Sequence, residues 1–145
     1  MLGKSLEKLS SGYRINRAGD DAAGLVISQK LRAEIGGLKQ ATRNAQDGIS
    51  FVQTAEGALA EVHNMLGRMR DLAVQGANDT NDANARTAIA AAITALNAEI
   101  ARIGTDTTFA GAAVFGRAIN LQVGSEGVGG GQLAVAATAA PAAVT

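Results

Sequence analysis

The chain has 145 residues, thirteen basic against thirteen acidic, with no cysteine, no tryptophan, one tyrosine and three phenylalanines. This balance leaves no electrostatic footprint for nucleic acid or a membrane surface, so neither is expected as a partner, and the lack of cysteine excludes disulfides, thiolate metal sites and cysteine nucleophiles. Alanine supplies much of the apolar share and large core formers are scarce, which favours an elongated helical assembly over a thick-cored globule.

The opening MLGKSLEKLSSG has no continuous apolar core of the kind a cleaved secretory signal needs, and no later run is long enough to span a bilayer. In SSGYRINRAGDDAAGL, Ser10 to Leu25, an adjacent Asp20 and Asp21 pair precedes a run of small residues. General acid–base work would require a cleft and a substrate-positioning shell. Carboxylates in a first helical turn instead cap orphan N–H groups and complement the positive dipole end, so a helix start is the favoured reading.

Apolar or small residues then fall at Leu31, Ile35, Leu38, Thr42, Ala45, Ile49 and Val52, in alternating steps of four and three. This is a heptad seam. Two successive steps of three through Ala55 mark a stammer-like slip before the series resumes at Leu59, Val62, Leu66, Met69 and Leu72. The spacing predicts one helix of about fifty residues, roughly 75 Å long, which cannot bury its stripe alone.

Gln75 to Arg86, QGANDTNDANAR, reads as a polar turn with N-cap candidates Asn81, Asp82 and Asn84. A second, shorter helix follows on Ile89, Ile93, Leu96, Ile100 and Ile103, with Gly104 expected as its C-cap. Two unequal helices joined by such a turn imply an antiparallel pair. Beyond Gly104 the period becomes two: Ile119, Leu121 and Val123 alternate with polar residues, GSEGVGGG intervenes, and Leu133 and Val135 resume the alternation. The expected fold is therefore mainly α, a long helix with a shorter antiparallel one in a coiled-coil-like rod, followed by a β-hairpin and a poorly specified end.

The remaining chemical candidates are weak. His63, the single histidine, has Gly67 where a second metal ligand would stand at i+4, so a solvated helix surface is expected and no metal or cofactor. GSEGVGGG lacks the Lys-Ser/Thr of a phosphate loop and no helix follows it. Arg68, Arg70 and Asp71 flank the seam, where charges usually serve solvation or helix pairing. Gln40, Asn44, Gln46, Gln53 and Asn64 supply uncharged polar groups suited to packed helical assemblies, which tilts the reading toward self-association.

The run LSSGYRINRAGDDAAGLVISQKLRAEIGGLKQATRNAQDGISFVQTAEGAL, continued by RMRDLAVQGANDT and LNAEIARIGTDTTFAG, resembles the amino-terminal conserved region of bacterial flagellin, and INLQVGSEGVGGGQLAV sits like that family's first β-hairpin. The resemblance implies a non-enzymatic structural subunit of the flagellar filament, a homopolymer serving motility. It further implies passage through the flagellar export machinery without a cleaved signal, contact with the filament cap, and a secreted, extracellular location. On it, residues 1–21 are the end of the innermost helix and a connector, 22–104 the amino-terminal part of the helical rod domain, and 105–145 the hairpin segment with a truncated end. Arg14, Asn16, Asp20 and Asp21 become connector residues. Ile35, Leu38, Ile49, Val52, Leu59, Val62 and Leu66 are expected to carry helical packing within the chain and between subunits.

Family members are also sensed by a host Toll-like receptor, and Arg68 and Leu72 match the positions involved, whereas Ala92 stands where recognised members commonly carry Glu. Two further departures are a short innermost helix and missing carboxy-terminal helices, so the chain is expected to be a fragment unable to build a normal filament unaided. The alternatives are the hook–filament junction protein of the same superfamily and a helical binding module acting through Arg68 to Leu72.

Overall fold

The computed structural model describes residues 2–13, 15, 21–126 and 130–142. In chain order these form α1 (Leu2–Ser11), α2 (Ala22–Gly76), α3 (Ala83–Asp106), β1 (Thr108–Phe109), β2 (Ala112–Ala113), β3 (Ile119–Gln122) and β4 (Gln132–Val135). The expected order of a long helix, a shorter helix and a hairpin is present, the hairpin as the β3–β4 pair. No described helix is long and apolar enough to cross a membrane.

Local chemistry sets the helix ends. Gly12, at φ 70°, stops α1, and its N–H donates to the Lys8 carbonyl at 3.0 Å. The Asp21 carboxylate accepts from Gly24 N–H at 2.9 Å while its carbonyl accepts from Leu25 N–H, so Asp21 caps the 55-residue α2. Asp82, in extended backbone, accepts from Ala85 N–H at 2.7 Å and caps α3. Gly104 is not the C-cap expected of it. The helix runs on to Asp106, and Thr107 closes it by donating both its N–H (3.2 Å) and its hydroxyl (2.6 Å) to the Ile103 carbonyl. Gly104 is buried, and a β-carbon there would stand 2.7 Å from the Pro141 carbonyl oxygen; its small size serves a close approach, not a cap.

The chain divides into two compact units. In Met1–Asn44 with Gln122–Gln132, the Arg32 guanidinium lies 4.0 Å from the Tyr13 ring centroid. Gly37 admits Ser125 within 3.1 Å of where its β-carbon would be, and Asn44 Nδ2 donates to the Gln122 carbonyl at 2.8 Å. Gln122 Nε2 in turn reaches the carbonyls of Gly124 (3.3 Å), Glu126 (2.6 Å) and Gly130 (2.6 Å). An amide has two hydrogens for these three acceptors, so one is shared. The inward convergence of carbonyl oxygens, rather than N–H groups, is the opposite of what an anion-binding loop presents.

The second unit comprises Ala45–Leu121 and Leu133–Thr145. Its core gathers all three phenylalanines: Phe51 and Phe115 are buried with Val114, and Phe109, Ala55, Ala58 and Ile119 pack against them. The Phe51 and Phe109 rings meet edge to face, 5.9 Å apart at 89°. Phe109 is delivered by a small hairpin that the sequence reading did not anticipate, in which Thr108 faces Ala113 and Phe109 faces Ala112. Its two-residue turn has positive φ at both Ala110 (49°) and Gly111 (79°), the primed geometry that matches strand twist. Gly76 lies against Ile89, Arg68 against Ala92, Ala95 and Leu96, and Phe51 against Phe109, so α3 runs back along α2 as expected.

Candidate assembly surface

The side chains that α2 packs inward include only part of the heptad seam: Ala45, Ala55, Val62, Met69 and Leu72 are covered, its larger aliphatics mostly open. In the second unit the covered positions are Ala45, Gly48, Phe51, Thr54, Ala55, Ala58, Val62, Met65, Met69, Leu72 and Gly76, in steps of three and four apart from the adjacent Thr54 and Ala55. Of the seven expected packing residues only Val62, 7% exposed, lies in this set. Ile35, Leu38, Ile49, Val52, Leu59 and Leu66 are all exposed, Ile49 to 57%, which corrects the expectation that they pack within the chain.

The exposed seam aliphatics of this unit each follow a covered residue by one position. Ile49 follows covered Gly48, Val52 follows Phe51, Leu59 follows Ala58 and Leu66 follows Met65. One helical step is about 100°, so α2 carries two adjacent stripes, one covered and mixing Gly and Ala with larger side chains, the other aliphatic and open. Small side chains bring neighbouring backbone close: Leu121 fills the place of a β-carbon at Gly48. The sequence cue for this face was partial: Gly48 and Ala58 stand directly before Ile49 and Leu59, whereas Phe51 and Met65 precede Val52 and Leu66.

Part of the open stripe borders a groove of about 500 Å³, walled by Ile49 and Val52 of α2 and by Leu121, Leu133 and Val135 of the β3–β4 pair, with Gln53 and Glu56 at its rim. Its walls are apolar and it holds no cluster of ionisable groups. Among the described residues no group of His, Asp and Glu side chains is arranged to hold a metal, and His63 lies exposed on α2.

The other sequence candidates are dispersed. Arg14, Asn16 and Asp20 lie outside the described residues; of the four expected connector residues Asp21 is described, and its carboxylate is occupied in capping α2. Arg68 is exposed and borders a shallow cavity of about 270 Å³ with Ala92, Ala95 and Leu96 of α3; Leu72, half-buried, does not line it. Of the polar set, Gln40 Nε2 donates to Asn44 Oδ1 at 2.8 Å, while Gln46, Gln53 and Asn64 are exposed. On α3, Arg102 donates to Glu99 and Asp106, and the hydrogen bond from Arg102 holds the Glu99 carboxyl below its usual range, helped by the guanidinium charge. These groups are exposed and stabilise the last turns of a helix rather than a reacting centre.

Comparison with known proteins places this arrangement. The family model described as the bacterial flagellin N-terminal helical region matches residues 1–118. A flagellin of Clostridium tyrobutyricum is 61% identical over 106 residues, covering 73% of this chain and 28% of that protein. A flagellin of Halalkalibacterium halodurans is also 61% identical over 106 residues, covering 73% of this chain and 39% of the relative. Polar flagellin F of Vibrio parahaemolyticus is 56% identical over 111 residues, covering 77% of this chain and 29% of its own length. The chain thus spans well under half the length of the curated relatives it matches.

Proposed function

From the premise that the chain belongs to the bacterial flagellin N-terminal helical region family, we propose that it is the amino-terminal helical part of a structural subunit of the flagellar filament, acting by packing and not by chemistry. The observation that carries this reading is the open aliphatic stripe of α2, Ile49, Val52, Leu59 and Leu66, displaced by one residue from the stripe the chain covers itself. Aliphatic side chains open at heptad spacing suit the apolar face of another helix, supplied by the remainder of the subunit or by a neighbouring one. Ile35 and Leu38, exposed on the same helix, belong to the same role.

On this reading the partners are further subunits, with the export machinery and the filament cap met on the way to an extracellular filament that supports motility. Residues 1–21, with Arg14, Asn16, Asp20 and Asp21, form the innermost helix end and connector, 22–104 the helical rod portion and 105–145 the hairpin portion. The relatives carry flagellin names, so the hook–filament junction protein is not adopted.

The test uses the whole subunit that contains this chain. Ile49→Asp combined with Leu59→Asp is expected to abolish filaments by electron microscopy while the monomer keeps its helical circular dichroism, which separates a lost subunit contact from a lost fold. Filaments of normal length from the double variant overturn the proposal.

A second role, recognition by a host Toll-like receptor through Arg68 and Leu72, draws support from exposed Arg68 bordering a cavity with Ala92, and is weakened here because Ala92 offers no carboxylate for a charge-assisted contact. Ala92→Glu in the whole subunit is expected to raise potency in a receptor reporter assay. Equal potency removes this role for Ala92.

A further inference from the structure

Of the eight asparagines in the sequence, Asn78 is the one followed two residues later by Ser or Thr, in Asn78-Asp79-Thr80. This is the acceptor pattern for N-linked glycosylation, which requires a surface loop. The triplet falls on the exposed turn between α2 and α3, clear of both helices. We infer that Asn78 is an acceptor site for glycosyl transfer from a sugar diphosphate donor.

The turn is already held in a usable geometry. Asn78 N–H donates to the Gln75 carbonyl at 3.2 Å, and the Asn78 carbonyl accepts from Asn81 N–H and Asn81 Nδ2, each at 3.2 Å. Asn81 Nδ2 also donates to the Gln75 carbonyl at 2.6 Å, and Arg86 pairs with Asp79 at 3.1 Å. Backbone and neighbours are thereby fixed while the reacting groups stay outward. Among the described residues, neither Asn78 Nδ2 nor Thr80 Oγ1 makes a hydrogen bond.

The remaining contact at the site has chemical meaning. Asn78 Oδ1 accepts from Thr80 N–H at 3.2 Å. Hydrogen bonding to the carboxamide oxygen draws electron density from Nδ2 and makes its N–H more acidic, which eases proton loss to a base of the transferring enzyme. Nδ2 then forms a bond to the sugar anomeric carbon as the carbon–oxygen bond to diphosphate breaks, the electron pair leaving with the diphosphate. No oxidant or reductant is needed. The Thr80 hydroxyl, unengaged and two residues on, is the handle by which a transferase tells this asparagine from the other seven.

The donor is either a lipid-linked or a nucleotide-linked sugar, since both present the same leaving group. The test takes the whole subunit from its native host and digests it with trypsin, which releases Asp71 to Arg86 as one peptide. Mass spectrometry with electron-transfer fragmentation is expected to find a sugar on Asn78, retained in Thr80→Ser and lost in both Asn78→Gln and Thr80→Ala. An unmodified peptide overturns the inference, as does a sugar on the Thr80 hydroxyl that survives Asn78→Gln. Blocking the loading of the lipid carrier in the host removes the sugar for a lipid-linked donor and leaves it for a nucleotide-linked one.

Discussion

Leu121 of β3 occupies the space that a β-carbon would need at Gly48 of α2. Glycine inside a helix costs roughly 0.5–1 kcal/mol relative to alanine, so its presence there is explained by the close approach it permits. Gly57 and Gly67, on the same helix, have open space where a β-carbon would stand.

Gly57→Ala is therefore expected to stabilise the chain by roughly 0.5–1 kcal/mol, through helix propensity alone. Gly48→Ala gains the same term but forces Leu121 aside at about 1–3 kcal/mol, for a net loss on the order of 1 kcal/mol. Urea denaturation of the two variants decides it; stabilisation of both would show that Leu121 yields freely.

Phe51→Ala removes the centre of the aromatic cluster and should cost about 3–5 kcal/mol, whereas Ile49→Ala, on the open stripe two residues away, should change the chain's own stability by no more than about 0.5 kcal/mol. Comparable losses at the two positions would contradict the placement of the packed face.

Asp82→Ala should destabilise the start of α3 by about 1 kcal/mol, while Asp82→Asn, which keeps an acceptor for Ala85 N–H, should be close to neutral. Thermal melts distinguish them. A loss as large for Asn as for Ala would mean that the charge at the helix start matters more than the hydrogen bond.

Ala110 adopts a left-handed conformation that alanine disfavours, in a turn whose preferred first residue is asparagine. Ala110→Asn is expected to raise stability by about 0.5–1 kcal/mol, read as a shift in the urea midpoint without a change in slope. A lower midpoint would show that the turn relies on the alanine methyl.

Because Arg102 holds the Glu99 carboxyl below its ordinary value of 4.5, the ionised form is favoured in the folded state. The stabilisation is present above that value and is lost as pH falls through the lowered one. The difference in melting temperature between the wild type and Glu99→Gln should shrink in that acidic window and should also fall with added salt. A difference independent of pH would assign the effect of Glu99 to something other than its charge.

Periodicity made the fold legible: steps of three and four located α2 and α3, and alternation located β3 and β4. Asp82 could be read as a cap because its carboxylate acts on the adjacent backbone. Gly104 was misread because a glycine after an apolar series looks the same whether it ends a helix or admits Pro141 from far along the chain. The β1–β2 hairpin was missed because Thr108-Phe109 and Ala112-Ala113 are too short to show a period, and Ala110 gives no hint of positive φ. The assembly surface was half legible. Heptad spacing picked out an aliphatic series on α2, but spacing cannot say whether a stripe faces the chain itself or lies one helical step away from the side that does.

The open stripe on α2 makes the stability of this chain depend on whatever helix covers it. The apolar area at Ile49, Val52, Leu59 and Leu66 contributes nothing to the isolated chain and contributes fully once another helix covers it. A binder that meets only the folded form stabilises it by an amount that grows with binder concentration, about 1.4 kcal/mol per tenfold increase above the dissociation constant. The melting temperature of this chain is then a function of how much of a covering helix is present.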